Sequence, residues 1–220
     1  MKGKKPLISP ALWKCEHAHT GEGHPNCWRR FQEEYMSKDL RLGYLDIEAN
    51  GLQGDFNIMY SWAIKPRDSS PKEILWDCMQ VPDEPLAETF DKRTTQACID
   101  TMRKFDVLYT YYGTGFDMPM IRTRALDWGL EFPAYGEIQH VDLYYLVKSK
   151  LQLHSNRLAS VASLLHVEEK SPLEPTIWKT AMVNPHSMSY IVQHNKQDVV
   201  VLEEVHKKLE TFMKGNRKSL

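Results

Sequence analysis

The chain has 220 residues, of which 42% are hydrophobic and 26% are charged, and its formal net charge is −1. These values exclude a disordered polypeptide and a globally basic protein, and they suit one globular domain with a short appendage. The first residues contain no apolar stretch long enough for a signal peptide or a membrane-spanning helix, so we expect no membrane association. We expect the four cysteines to be thiols or metal ligands in a reducing compartment, the cytoplasm.

From residue 42 onward, β-prone segments alternate with amphipathic ones. The predicted strands are residues 42–47, 56–64, 73–79, 106–112 and 137–141, and the predicted helices are residues 86–104, 118–129, 143–150, 158–166 and 187–214. The order βββαβαβα, with extra helices, predicts an α/β fold in which helices flank a mixed five-stranded sheet. We therefore predict one domain over residues 41–214, preceded by a polar, Cys/His-rich extension over residues 1–40.

Two acidic residues, Asp46 and Glu48, end the first predicted strand in the segment LDIEANGL. Residues i and i+2 of a strand point to the same face, so these two carboxylates would lie side by side. A divalent cation would relieve their repulsion, and Mg²⁺ and Mn²⁺ prefer carboxylate oxygens. The pair therefore indicates a metal site, although two solvated turn acids would give the same local pattern.

Further acids follow at positions where they could join this pair. Asp117 comes just after the fourth predicted strand, where ligand sites gather in such sheets. His194 and Asp198 are four residues apart on an otherwise apolar helix face, and a metal ion with a polarised water would satisfy both. Taken singly, Asp117 could cap its helix and the other two could form an ordinary helical pair. Asp142 is expected to cap the helix that follows it.

These residues form three motifs, which in chain order are Asp46-x-Glu48, Gly115-Phe116-Asp117 and His194-x3-Asp198. In order and placement the motifs resemble those of the DEDD 3′–5′ exonuclease superfamily, over about residues 42–209. The chain is most similar to the ribonuclease-H-like nucleases whose second and third motifs are YNGxxFDxP and YNxxD. It departs from that pattern at Tyr112, where many relatives have Asn, and at His194, which occupies the position of a tyrosine.

The resemblance implies a ribonuclease-H-like fold and a metal-dependent 3′–5′ exonuclease that hydrolyses phosphodiester bonds by a two-metal-ion mechanism. It implies that two Mg²⁺ or Mn²⁺ ions are held by four acids: Asp46, Glu48, Asp117 and Asp198. His194 would take the proton of the attacking water. The expected partners are the 3′ end of DNA or RNA and proteins of replication or repair. An alternative is a catalytically silent nucleic-acid-binding or scaffold module of a replication or repair complex.

The end of a nucleic-acid strand must also be bound by stacking and by phosphate contacts. Leu52 and Phe116 are the candidates for substrate binding near the site. The basic candidates for phosphate contacts are Arg122, Arg124, Lys148, Lys150, Arg157 and Lys179.

A second cluster lies in the segment CEHAHTGEGHPNC, residues 15–27. Cys15, His17, His24 and Cys27 could supply the four ligands of a tetrahedral zinc site, and His19 could replace His17. The loop is too short and too polar to bury a core, so we predict that one structural Zn²⁺ keeps it ordered. The alternative is an arm in which these residues are incidental.

Overall fold

The computed structural model describes residues 10–11, 13–15, 17–35, 40–80, 90–167 and 174–213. Its strands are β1 (Leu42–Ala49), β2 (Met59–Pro66), β3 (Leu75–Cys78), β4 (Val107–Thr110) and β5 (Gln139–Asp142). They form one sheet in the order β3-β2-β1-β4-β5. Strand β2 runs antiparallel to both of its neighbours, β1 and β3, whereas β1, β4 and β5 run parallel to one another. The predicted mixed five-stranded sheet is therefore confirmed.

The helices of the described residues are α1 (Pro25–Tyr35), α2 (Lys92–Met102), α3 (Asp117–Asp127), α4 (Leu143–Lys150), α5 (Leu158–Leu164), α6 (Pro175–Thr180) and α7 (Pro185–Met213). The sequence did not predict α1 or α6. The second of these is six residues long, too short for a periodic pattern, and begins with a proline. Residues 86–89 and 214, which were predicted as helical, lie outside the described residues. No helix in the described residues is long and apolar enough to cross a membrane.

The two faces of β1 are covered by different parts of the chain. Leu42 and Tyr44 belong to a core cluster that includes Val201, Leu202 and other apolar residues of α7. The alternate residues of β1, such as Leu45, pack instead in the cluster that contains residues of α2 and α3. Because side chains alternate along a strand, Asp46 and Glu48 share the α7 side with Leu42 and Tyr44.

A buried ion pair also fastens α7 to the sheet. The Lys65 ammonium of β2 binds the Glu203 carboxylate of α7, and each side chain is only 3% exposed. Nearby, the Tyr44 hydroxyl lies 2.8 Å from Nδ1 of the buried His206. These contacts fix how α7 crosses β1 and β2, and hence where the polar residues of α7 lie.

The N-terminal segment packs on the same core as the sheet. Trp13, Cys15 and Trp28 belong to the cluster that includes Val141 and Val147. The Tyr135 hydroxyl donates a hydrogen bond to the Cys15 carbonyl at 3.1 Å. The four cysteines, all among the described residues, form no disulfide. The division of the chain near residue 40 stays a prediction.

Candidate functional site

The first part of the site joins β1 to α7. His194 Nε2 lies 4.0 Å from Glu48 Oε1 and 3.9 Å from Asp198 Oδ2. His194 and Asp198 are almost completely buried, whereas Glu48 is partly exposed. One donor atom from each of the three residues lies within 4.8 Å of the other two. Two carboxylates and one imidazole fit a divalent cation: the carboxylates suit Mg²⁺ or Mn²⁺, and the imidazole is a ligand more typical of transition metals.

The His194 ring is held between aromatic side chains. The Trp178 ring meets it edge-on at a centroid distance of 5.5 Å, and the Tyr190 ring lies parallel to it at 6.5 Å. The indole of Trp178 is itself fixed, because its Nε1 donates to the Ala49 carbonyl at 3.2 Å. Tyr190 precedes His194 by one helical turn, and this spacing is the sequence signal for its position.

Asp46 lies beside this group and is oriented by Asn195. The Asn195 amide donates to Asp46 Oδ2 at 2.7 Å, and the Ser61 hydroxyl donates to Asn195 Oδ1 at 3.1 Å. Asn195 was not among the predicted site residues, although it matches the Asn of the YNxxD pattern. Its amide therefore fixes the position of one carboxylate of the site.

Asp117 contacts β1 from α3, outside the group of three donors that lie within 4.8 Å of one another. It opens α3, is buried, and accepts a hydrogen bond from the Ile47 amide at 3.1 Å. Ile47 lies between Asp46 and Glu48, so Asp117 meets β1 at the D-x-E motif. Burial, followed by the negative charge of Asp46, raises the pKa of the Asp117 carboxyl well above its usual value. A cation at this site would oppose both effects.

The loop between β1 and β2 follows the D-x-E motif in the chain and carries exposed apolar side chains. It is closed by the Ile58 amide, which donates to Asn50 Oδ1 at 2.8 Å. Leu52 and Phe56 on this loop are 83% and 84% exposed. Phe116, the other predicted contact, is partly buried against the core on the α2 and α3 side. Phe56 was missed because the sequence placed it at the start of a strand.

Asp142, at the end of β5, has a structural role. Asp142 caps α4 by accepting from the Tyr144 amide at 3.0 Å, as predicted. Its carboxylate also accepts from the amides of Tyr112 and Thr114 at 2.8 and 2.9 Å.

Arg124 does not fit the prediction of a phosphate contact, because its guanidinium is buried and forms two hydrogen bonds with the Asp91 carboxylate.

Tyr112 occupies a backbone conformation that would suit the asparagine of the YNGxxFDxP pattern. Its φ is +66°, in the left-handed region that Asn tolerates better than most residues. The Tyr112 ring is half exposed and packs on Tyr144 at a centroid distance of 4.9 Å. The departure from the motif therefore concerns the turn after β4.

The predicted Cys/His ligands form a second cluster, remote in sequence from the first. Cys15, His17, His24 and Cys27 each place a donor atom within 4.8 Å of the others. Burial opposes ionisation of Cys15, but hydrogen bonds with His24 and His17 outweigh it and lower the pKa of this thiol to about 6. His19, the alternative ligand, contributes no donor atom to the cluster.

Comparisons with known proteins agree with this architecture. The family model described as the RNase_H superfamily matches residues 43–210. A DNA polymerase of Methanocaldococcus jannaschii is 28% identical over 106 residues, which cover 39% of this chain and 6% of the polymerase. The family B DNA polymerase from the archaeon Pyrobaculum calidifontis has a similar fold, with a TM-score of 0.61 at 20% identity, over 80% of this chain and 25% of the polymerase.

This chain thus spans only a small part of either polymerase. The structural likeness shows the fold alone, whereas the family model extends over most of the chain, from the start of β1 into the last turns of α7. RNase H-like proteins generally use divalent metals, and membership of this superfamily suggests nuclease activity. On this match, and with the sheet order and site described above, the chain belongs to the RNase H superfamily.

Proposed function

We propose that this protein is a metal-dependent exonuclease that removes nucleotides from the 3′ end of DNA or RNA. The observation that carries the proposal is the convergence of Glu48, His194 and Asp198, with donor atoms within 4.8 Å of one another, beside Asp46 and Asp117. So many acids meeting at one strand end under a helix would be unfavourable without a cation.

The donor set fits a pair of divalent ions. Glu48, His194 and Asp198 would hold one ion, and Asp46 and Asp117 would complete the set for the second. Bound Mg²⁺ or Mn²⁺ supplies an activated water and neutralises charge on the leaving oxygen. Asn195 keeps the Asp46 carboxylate pointed into the site through its 2.7 Å hydrogen bond. The carboxylates also repel a phosphodiester in the absence of metal, which makes substrate binding metal-dependent.

His194 has two candidate roles, and both use Nε2. As a general base, it would accept the proton of the attacking water at this atom. As a ligand, it would direct the same lone pair to the metal, a role favoured by its distances to the carboxylate oxygens of Glu48 and Asp198. The two roles differ in what His194→Gln changes. Loss of a base lowers kcat and flattens the acidic limb of the pH–rate profile, whereas loss of a ligand raises the metal concentration needed for half-maximal activity.

The exposed loop residues Leu52 and Phe56 are suited to contact the terminal nucleotides. Aromatic side chains that contact the end of a nucleic-acid strand stack on bases without regard to sequence and contribute about 1–3 kcal/mol per base, whereas an aliphatic side chain such as Leu52 adds apolar contact. Replacement of Phe56 by alanine should therefore raise KM more than it lowers kcat. An unchanged KM for single-stranded substrate would exclude Phe56 from the substrate contact.

The direct test is digestion of 3′- and 5′-labelled single-stranded DNA and RNA, with the protein first chelated and then supplied with Mg²⁺ or Mn²⁺. Stepwise shortening from the 3′ end that needs the added metal, and that Asp46→Asn abolishes, would support the proposal and identify the preferred sugar. Glu204→Gln is the matched control, because Glu204 is a partly exposed acid of α7 with its side chain beside Lys207. If neither nucleic acid is cut with either metal while both are bound, the silent binding module replaces the exonuclease.

A further inference from the structure

The N-terminal Cys/His cluster is built from two local elements. A backbone bridge pairs Lys14 with Thr20, and the Cys15 amide donates to the His19 carbonyl at 2.9 Å, which closes a tight turn. Ala18 adopts a positive φ of 61° within this turn. The turn supplies Cys15 and His17, and the start of α1 supplies the other two candidate ligands.

Those two flank the entry to α1. His24 precedes the helix, and Cys27 lies in its first turn, where the Cys27 amide donates to the His24 carbonyl at 3.1 Å. A short turn and a helix N-terminus that each contribute two ligands form a compact, locally ordered frame. Cys and His are the usual ligands of structural zinc sites, which are almost always four-coordinate.

The distances between donor atoms match those of a tetrahedral zinc complex. Zn–S bonds of about 2.3 Å and Zn–N bonds of about 2.0–2.1 Å place sulfur and nitrogen about 3.5–3.6 Å apart at the tetrahedral angle. Cys15 Sγ lies 3.5 Å from His24 Nδ1 and 3.7 Å from His17 Nδ1. Cys27 Sγ lies 3.9 Å from His17 Nδ1. The same ring nitrogen of both histidines faces the sulfur atoms.

We propose that Cys15, His17, His24 and Cys27 bind one Zn²⁺ ion in a closed, structural site. All four coordination positions are filled by protein, which leaves none for a substrate or an activated water. Both cysteines bind as thiolates, so zinc binding releases their protons to solvent. This site is separate from the proposed exonuclease centre and does not depend on that proposal.

The proposed role of the zinc is to hold the N-terminal segment on the catalytic domain. Cys15 is 4% exposed and belongs to the same core cluster as Trp13 and Trp28. The Trp13 and Trp28 rings meet edge-on at a centroid distance of 5.6 Å. Through the Tyr135 hydrogen bond to its carbonyl, Cys15 is also tied to the loop before β5. Loss of zinc would therefore loosen this tryptophan pair together with α1.

His19 provides a matched control. Its ring lies beside those of His17 and His24, at centroid distances of 6.4 and 5.4 Å, yet among the described residues it belongs to neither group of candidate metal ligands. Zinc binding by a loose, non-specific histidine cluster would depend on His19 as much as on His24. If the four proposed ligands form a tetrahedral site, His19→Ala should leave the zinc content unchanged.

The test is the zinc content of the full-length protein purified from zinc-supplemented medium, measured by elemental analysis for the wild type, Cys27→Ser, His24→Ala and His19→Ala. We expect one zinc per chain in the wild type and in His19→Ala. Loss of a residue that hydrogen-bonds to a metal ligand lowers metal affinity by about 10–100-fold. Loss of a ligand itself in Cys27→Ser or His24→Ala should therefore lower zinc affinity at least as much. Zinc absent from the wild type, or lost equally in His19→Ala, would overturn the proposal.

Cobalt substitution tests the same site in the wild-type protein, so the result does not depend on whether a ligand variant folds. It also distinguishes this site from the carboxylate centre. Wild-type protein reloaded with Co²⁺ should show the intense visible absorption of a tetrahedral site and a sulfur-to-cobalt charge-transfer band. Asp198→Asn, which alters the carboxylate centre, should leave both signals unchanged. A spectrum without the charge-transfer band would mean that the cysteines do not bind the metal.

Discussion

Replacement of Asp198 by asparagine should have opposite effects on stability with and without metal. In the metal-free protein, the carboxylate oxygens of Asp198 and Glu48 lie within 4.8 Å of each other. Two unit charges at that distance repel by about 0.9 kcal/mol at a dielectric constant of about 80 and by about 3.5 kcal/mol at about 20. The substitution keeps the shape of the side chain and removes this repulsion. We therefore expect metal-free Asp198→Asn to be more stable than the wild type by about 1–3 kcal/mol.

For a chain of this size, 1 kcal/mol corresponds to roughly 2–4 °C in Tm, so the metal-free variant should melt about 2–12 °C higher. With Mg²⁺ or Mn²⁺, the order of stability should change. A ligand at about 1,000 times its Kd stabilises the folded state by about 4.1 kcal/mol. The wild type should gain this increment, whereas Asp198→Asn, with one ligand fewer, should gain much less of it at the same metal concentration.

The assay is thermal unfolding of both proteins after chelation and after titration with each metal. Chelation also removes metal from the Cys/His cluster, but it does so in both proteins, so the difference between them reports on the carboxylate site. Glu204→Gln, on the exposed side of the same helix, should follow the wild type under every condition. The reasoning would be refuted if Asp198→Asn were less stable than the wild type after chelation and if added metal stabilised both proteins equally.

Three further predictions concern residues that support the site. Glu203→Ala leaves the Lys65 ammonium buried without its counter-charge, and we expect a loss of about 3–5 kcal/mol in urea unfolding, largely recovered by adding Lys65→Met. Burial, followed by the charges of Arg67 and Lys207, lowers the pKa of His206 to about 3. Below about pH 6.5 the unfolded chain therefore binds a proton that the folded protein does not, so unfolding free energy should fall by up to about 1.4 kcal/mol per pH unit, with a flatter slope in His206→Gln. Asp142→Ala removes the acceptor of three backbone amides, so it should cost about 1–3 kcal/mol in urea unfolding while the stabilisation by added metal persists.

Local geometry accounts for the part of the site that could be predicted from sequence. The period of two in a strand places Asp46 and Glu48 on one face, and the helical spacing places His194 and Asp198 on another. Each of these relations depends on a few consecutive residues, and the structure retains both. The sheet was predictable for the same reason, because each strand is a short run with its own signal.

Contacts that depend on how elements pack could not be predicted in this way. The hydrogen bond from the Ile47 amide to Asp117 requires α3 to begin beside β1, and the bond from Asn195 to Asp46 requires a particular crossing of α7. Helix α1 was missed although it carries a local signal, because Pro25 opens it and Trp28, Phe31 and Tyr35 follow at helical spacing. Its segment was assigned to the polar, Cys/His-rich extension, and only the tertiary structure shows that Trp28 packs on residues from the far end of the chain.

The two clusters differ in their energetics, and this difference separates their roles. The carboxylate site gathers like charges that repel one another without metal, so the folded chain tolerates it at a cost in stability. The Cys/His cluster has only two groups that can become negative, its thiols, and these lie beside two imidazoles that are neutral or positive, so its cost without metal is mainly that of an unfixed loop. Substitution of a carboxylate ligand should therefore stabilise the metal-free protein at the first site. At the second, it should destabilise the protein only when zinc is present.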